Sequence, residues 1–200
     1  TSFWGREGPA RDRFWAFDKS DGRPVWSSTP GVQPQDSSFS TPVFATWKNQ
    51  RVFFAGTGCG QIVCVNARTG RPLWRYPMSS GGVNASVVVE GDVLIAVHGQ
   101  ENLEDSTTGG MLALDLGKIE PAEPGQDPVV VGAAARLWQA EISMFTSSPT
   151  LIDGKVIQMD GTGTMHALDS KTGRSLWTRK LAHSQLHASP LAADGKLYMP

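Results

Sequence analysis

Met165-His166-Ala167-Leu168-Asp169-Ser170-Lys171-Thr172-Gly173-Arg174-Ser175-Leu176-Trp177 is the stretch whose reading decides the fold, because its pattern recurs upstream. Apolar residues at Met165, Ala167 and Leu168, and again at Leu176 and Trp177, suit two half-buried strands, while Asp169 to Gly173 between them has the composition of a tight turn. The Asp169 carboxylate can fold back onto turn amides, and Gly173 can take the left-handed conformation that closes a hairpin loop without a Cβ clash. Reduced to its fixed points the pattern is A-x-D-x-x-x-G-x-x-x-W. Ala16, Asp18, Gly22 and Trp26 repeat it with identical spacing, and Cys64, Asn66, Gly70 and Trp74 repeat it with a small residue for Ala and an amide for Asp. A fourth copy starts at Ala113 and Asp115 but reaches Trp138 only 23 residues after Asp115, where Trp177 follows Asp169 by 8. The 15 extra residues fall within Gly117 to Ala135, a segment carrying Pro121, Pro124 and Pro128.

Consecutive tryptophans of the pattern stand 48, 64 and 39 residues apart, and removing the 15-residue insertion brings the middle spacing to 49. Periods of about 40 to 50 residues with several strands each indicate propeller blades. The pattern resembles the tryptophan-docking motif of pyrroloquinoline-quinone (PQQ) type propeller repeats, found in quinoprotein dehydrogenases and in BamB-like assembly proteins, and the resemblance covers nearly the whole chain. It implies that each motif Trp lies between blades, against the small residue and the turn glycine, with its indole N–H on a backbone carbonyl. A large apolar plate with one donor that needs a partner when buried suits that place. Trp26, Trp74, Trp138 and Trp177 are thereby structural, with Trp74, Trp138 and Trp177 expected to be mostly buried and Trp4 and Trp47 less constrained.

The expected architecture is an all-β propeller of four-stranded antiparallel blades, as an open arc of about four blades from a ring of seven or eight. Its parts are a partial blade at 1–26, blades at 41–76, 84–142 and 147–181, and the start of another at 187–200. Ser189-Pro190 and Asp194-Gly195 repeat Ser148-Pro149 and Asp153-Gly154 with one offset of 41 residues, which places a hairpin at the end of the chain. Such an arc leaves apolar blade faces bare at both ends, so the natural protein is expected to be longer.

Composition narrows the function. Hydrophobic residues make up 40% and charged residues 18% of the 200, as in globular proteins, and no apolar run approaches the roughly 18 residues of a spanning helix. A net charge of −1 without a basic cluster gives no footprint for nucleic acid. Cys59 and Cys64 flank a turn and could bridge, but Cys64 holds a motif position where other copies have Ala, which favours a packing role.

In a propeller the inner strands begin near the axis, so ligand groups come from Ser37 to Thr41, Gly82 to Ser86, Phe145 to Ser148 and His183 to Ser189. These stretches are neutral, and Asn84, Ser86, Ser148, His183 and His187 are their candidates for a ligand or partner. His98 and Glu101 join them from the polar loop His98 to Ser106, whose spacing fits no metal motif. No adjacent Cys-Cys pair and no axis-side carboxylate cluster occur to hold PQQ with calcium or to act as base. No catalytic residue, metal ligand or cofactor is therefore assigned. The expected function is an exported, non-enzymatic binding or assembly scaffold with a protein partner, placed in the periplasm, at the outer membrane or outside the cell. The alternatives are a PQQ- and calcium-dependent alcohol or sugar dehydrogenase with its site in other blades, and the extracellular sensor propeller of a receptor or kinase.

Overall fold

The computed structural model describes residues 13–103 and 107–199, and Trp4, Glu104 to Ser106 and the first residues of the expected partial blade lie outside them. Among the described residues all regular elements are strands, apart from 3-10 turns at Leu116–Lys118 and Ala133–Ala135. β1 (Phe14–Phe17) and β2 (Pro24–Ser28) form a hairpin. β3 (Val43–Trp47), β4 (Gln50–Gly56), β5 (Gln61–Asn66) and β6 (Pro72–Pro77) form the first full antiparallel sheet. β7 (Val88–Glu90), β8 (Val93–Glu101), β9 (Thr108–Asp115) and β11 (Arg136–Ala140) form the next, and β12 (Thr150–Ile152), β13 (Lys155–Met159), β14 (Thr164–Asp169) and β15 (Ser175–Lys180) the third. β16 (Leu191–Ala193) and β17 (Lys196–Tyr198) close the series as a separate hairpin beside β12. The β1–β2 and β16–β17 hairpins belong to different sheets, so the blades make an open arc, a partial β-propeller.

The tight turns have the chemistry their residues suggest. Asp153-Gly154 and Asp194-Gly195 both have positive φ at each residue, as a two-residue hairpin turn requires, and Lys48-Asn49 does the same between β3 and β4. At the motif turns Asp169 Oδ1 accepts from the Lys171 and Thr172 amides at 3.1 and 2.9 Å, Asn66 Oδ1 from those of Arg68 and Thr69, and Asp18 Oδ1 from that of Ser20.

Each motif Trp faces its small residue across the strand pair: Trp26 opposite Ala16, Trp74 opposite Cys64, Trp138 opposite Ala113, Trp177 opposite Ala167. For Trp26 and Trp138 the indole then reaches the motif turn of the following sheet. Trp26 Nε1 donates to Ala67 O at 3.2 Å, and a Cβ on Gly70 would stand 2.7 Å from the Trp26 ring. Trp138 Nε1 donates to Ser170 O at 3.0 Å, and a Cβ on Gly173 would meet its ring at 2.6 Å. Both glycines have positive φ, so the left-handed turn and the close ring contact demand the same residue.

Two expectations about tryptophans need correction. Trp177 is 39% exposed, because the neighbour on its side is only the β16–β17 hairpin, which touches β12 and offers no motif turn for the indole. Trp47, expected to be loosely held, is buried and donates Nε1 to Leu116 O at 3.0 Å. Leu116 follows Asp115 as Ala67 follows Asn66 and Ser170 follows Asp169, so Trp47 takes the carbonyl that the motif assigns to Trp74. Trp74 is fully buried edge-on to Trp47 with its own N–H unpaired among the described residues.

The cause is the insertion. Instead of turning back at once, residues 117–135 cross to the preceding sheet. Ala122 N donates to Leu73 O, Arg71 Nη1 to Ala122 O, and Val131 N to Arg75 O, while Lys48 pairs with Glu120. Val129–Val130 adds to β6 as a parallel fifth strand, β10. Leu116, Ile119, Val131 and Ala135 enter the core formed around Trp47, Phe54, Leu73 and Trp74, so the strap covers an edge that the other sheets leave open. A second core of Ile95, Met111, Trp138, Ile157 and Met159 lies between the next two sheets. Exposed apolar side chains occur at both ends, at Trp15, Phe17 and Val25 and at Leu176, Leu191 and Tyr198, and also between them, at Phe39, Phe44, Leu103 and Val130.

Candidate functional site

The starts of the inner strands are tied to one another through hydroxyls. Thr41 N donates to Ser86 Oγ at 2.9 Å, Ser86 N to Ser148 Oγ at 2.8 Å, and Ser148 N to Ser189 Oγ at 2.9 Å. Each link joins one sheet to the next at an equivalent position. A residue that opens an inner strand has no partner strand for its amide on the axis side, and the hydroxyl from the following sheet satisfies it. Asn84 is buried, with Oδ1 accepting from Phe39 N at 3.2 Å and Nδ2 unpaired among the described residues. Replacing Ser148 by alanine removes one acceptor from a partly buried amide and is expected to cost about 1 kcal/mol. A chemical denaturation midpoint indistinguishable from the parent protein would show that the ladder contributes nothing.

His187 Nδ1 stands 2.9 Å from Thr146 Oγ1 on an exposed edge of the same region, and His183 is exposed beyond it. The structure thus brings Ser86 and Ser148 into direct contact and leaves His98 apart from them. Cys59 and Cys64 are buried and not bridged by a disulfide; Cys59 Sγ lies 3.0 Å from Thr57 Oγ1, and burial pushes the Cys64 thiol well up.

His98 lies instead in a cleft of about 210 Å³ between the β6 end of one sheet and β9 and β11 of the next. Its floor is apolar, from Tyr76, Met78, Met111 and Leu112, and Arg136, Gln139 and Asn102 supply the polar groups. His98 is 2% exposed, and its Nδ1 has no hydrogen-bond partner among the described residues. Burial lowers its pKa, against the Asn102 side chain and the Gln100 backbone, which favour the charged form. Glu101 is at the end of β8, opposite Thr108. The sequence singled out His98 but missed Arg136, Gln139 and Tyr76, which occupy ordinary strand positions and become neighbours only through the sheet packing.

A second titratable pair is structural. Asp160 accepts from Thr162 N, Thr164 N and His166 Nε2, the last at 2.8 Å, and so pins the β13–β14 turn. Burial acts against its ionisation, but the His166, Thr164 and Thr162 donors outweigh it and hold the carboxyl down at about 2. Because the folded pKa lies below the ordinary 3.8, this contribution is complete above pH 3.8 and is lost as pH falls toward 2. Asp160→Asn is expected to flatten that part of the stability profile. An unchanged acid limb between pH 4 and 2 in the variant would contradict the assignment.

Radially arranged four-stranded sheets, with a Trp of one docked on the motif turn of the next, define a PQQ-like β-propeller. The chain belongs to the family of the outer membrane protein assembly factor BamB, whose model matches residues 9–119 and 128–200. The unmatched 120–127 lies inside the strap. BamB of Burkholderia pseudomallei (strain K96243) is 26% identical over 165 residues, which are 80% of this chain and 38% of that protein. BamB of Escherichia coli (strain K12) is 24% identical over 148 residues, 73% of this chain and 31% of that one. Among solved structures, BamB from Moraxella catarrhalis superposes with a TM-score of 0.59 at 20% identity, over 84% of this chain and 46% of that one. A europium-containing methanol dehydrogenase gives 0.62 at 14% identity, over 90% and 41%. At such identities the structural likeness establishes the fold. The chain spans less than half the length of each of these proteins.

Proposed function

We propose that the protein carrying this chain is an exported, non-enzymatic propeller that serves as a scaffold for protein partners in the assembly of outer-membrane proteins. The observation that carries this reading is the hydroxyl ladder: Ser86, Ser148 and Ser189, at the strand starts where a propeller presents ligand groups, hold neighbouring blades together. Membership of the BamB family supports it. The donor set supports it too, since a quinone with a hard cation needs clustered carboxylate oxygens. Among the described residues no three His, Cys, Asp or Glu side chains are placed to share an ion. The described residues offer no such donor set.

The test uses the full-length protein. Mixed with PQQ and Ca²⁺ and passed through gel filtration, it is expected to elute free of quinone absorbance and to show no dye-linked alcohol or sugar oxidation. Deleting its gene is expected to lower the abundance of outer-membrane β-barrel proteins at least twofold. Retained quinone with dehydrogenase turnover, or unchanged barrel abundance, would overturn the reading.

A further inference from the structure

The two incomplete sheets at the ends of the arc are the two different halves of a blade. β16–β17 pairs Leu191 with Tyr198 and Ala193 with Lys196, which is the Thr150–Ile157 and Ile152–Lys155 pairing of β12–β13 moved on by 41 residues. It is therefore an inner pair of strands. β1–β2 pairs Phe14 with Ser28, Ala16 with Trp26 and Phe17 with Pro24, which is the Met165–Arg179, Ala167–Trp177 and Leu168–Ser175 pairing of β14–β15 at an offset of 151, with the bulge at the same place. It is an outer pair. In each complete sheet the second strand pairs with the third; here the second strand, β17, and the third, β1, each lack that neighbour among the described residues.

The docking parts are left over in the same complementary way. Trp26 and Trp138 lie on Gly70 and Gly173, where an added Cβ would meet the ring at 2.7 and 2.6 Å. Gly22 has the same left-handed conformation, yet among the described residues nothing lies within 4 Å of its Cβ position. The turn is formed and holds no tryptophan. Trp177 is the converse, a half-exposed indole with no turn to dock on. Phe17 stands where Val65, Leu114 and Leu168 stand in the complete sheets, and those three are buried while Phe17 is 57% exposed. One end of the arc thus offers what the other end needs, both in strand edges and in apolar surface.

We propose that two copies of this chain join head to tail, β16–β17 of each completing the blade that β1–β2 of the other begins. In the register of β13–β14, where Lys155 faces Asp169 and Ile157 faces Ala167, Lys196 comes opposite Asp18 and Tyr198 opposite Ala16 of the second copy. Trp177 then docks over Gly22 of that copy and donates Nε1 to its Lys19 O, because the accepting carbonyl follows the motif Asn or Asp, as at Ala67 and Ser170. Three complete sheets and one shared blade from each copy make a closed ring of eight. Head-to-tail contacts that close form a ring of fixed size, and those that do not close grow into filaments. The assembly is independent of what the scaffold binds, so it stands or falls apart from that reading.

The 200-residue chain is examined by sedimentation equilibrium over a range of concentrations. A reversible dimer with no larger species is expected. Phe17→Asp and Trp177→Ala alter side chains that are exposed in a single copy, so both chains should fold, and each is expected to raise the dimer dissociation constant by at least about tenfold. Gly22→Ala is expected to do the same by filling the place of the second copy's indole. Gly154→Ala, which has a φ of +70° in a turn that docks no tryptophan, carries similar backbone strain and should leave the constant unchanged. The mass of the parent chain decides the matter even if a variant folds poorly. A monomer at every concentration, which would mean that other residues of the same polypeptide cover these ends, overturns the proposal. So do open polymers, or a dissociation constant that folded Phe17→Asp and Trp177→Ala chains leave unchanged.

Discussion

Replacing Trp138 by alanine is expected to lower stability by about 3 to 5 kcal/mol, read as a fall in the denaturation midpoint. Trp138 is 8% exposed between two sheets, in one core with Ala113, Ile157 and Ala167, and its indole both donates to Ser170 O and lies against Gly173. Truncation empties a site that β-sheets on either side cannot close over, since their strands are fixed by their own hydrogen-bond ladders, and it leaves Ser170 O without its donor. Trp177→Ala is the internal control. That indole has the same cross-strand partner type, Ala167, but is 39% exposed and has no following motif turn, so its loss should cost under half as much within this arc. Equal losses for the two variants would show that cross-strand packing, rather than docking on the next blade, is what the motif provides.

The repeat was legible in the sequence because docking imposes residue types at fixed distances. A Trp needs a small residue opposite and a glycine turn ahead, and Ala16, Gly22 and Trp26 or Ala167, Gly173 and Trp177 display that need without any structure. The same logic located the insertion from the lateness of Trp138. It could not show where the insertion goes. That depends on the edge of β6 and on the carbonyl of Leu116, and the exchange of Trp74 for Trp47 at that carbonyl follows from contacts 69 residues apart. Ser86 and Ser148 were read as ligand candidates because a serine at a strand start carries no mark of its partner; only the stacking of sheets reveals that each hydroxyl serves the amide of the neighbour before it. His98 stood out as a ligand type in a polar loop, yet its depth in the cleft comes from a hairpin whose arms stay paired as far as Glu101 and Thr108.

Gly60→Ala should be among the most damaging small substitutions in the chain, with an expected loss on the order of 3 kcal/mol or more. Gly60 has φ of +76°, where an alanine alone costs about 1 to 2 kcal/mol, and an added Cβ would stand 1.9 Å from Ser79 O and 2.7 Å from Gly81 O. Both obstacles are backbone, so no rotamer change relieves them. Gly60 O accepts from the Met78 and Ser79 amides, each at 2.9 Å, and this fixes the strand exit after β6 against the β4–β5 turn. The fourth strand group repeats the device: Gly163 O accepts from Leu181 N and Ala182 N, and a Cβ there would meet Ser184 O at 2.4 Å. Gly154→Ala separates the two causes, since Gly154 has φ of +70° with nothing within 4 Å of its Cβ, and only the conformational cost of about 1 to 2 kcal/mol applies. Ser79 also bridges to Asn102, so the displacement forced at Gly60 should reach the cleft, and the His98 ring resonance should shift in Gly60→Ala but not in Gly154→Ala. Thermal midpoints that fall equally in the two variants would mean that the turn absorbs the Cβ and that the close approach of Gly60 to Ser79 is not what holds this corner.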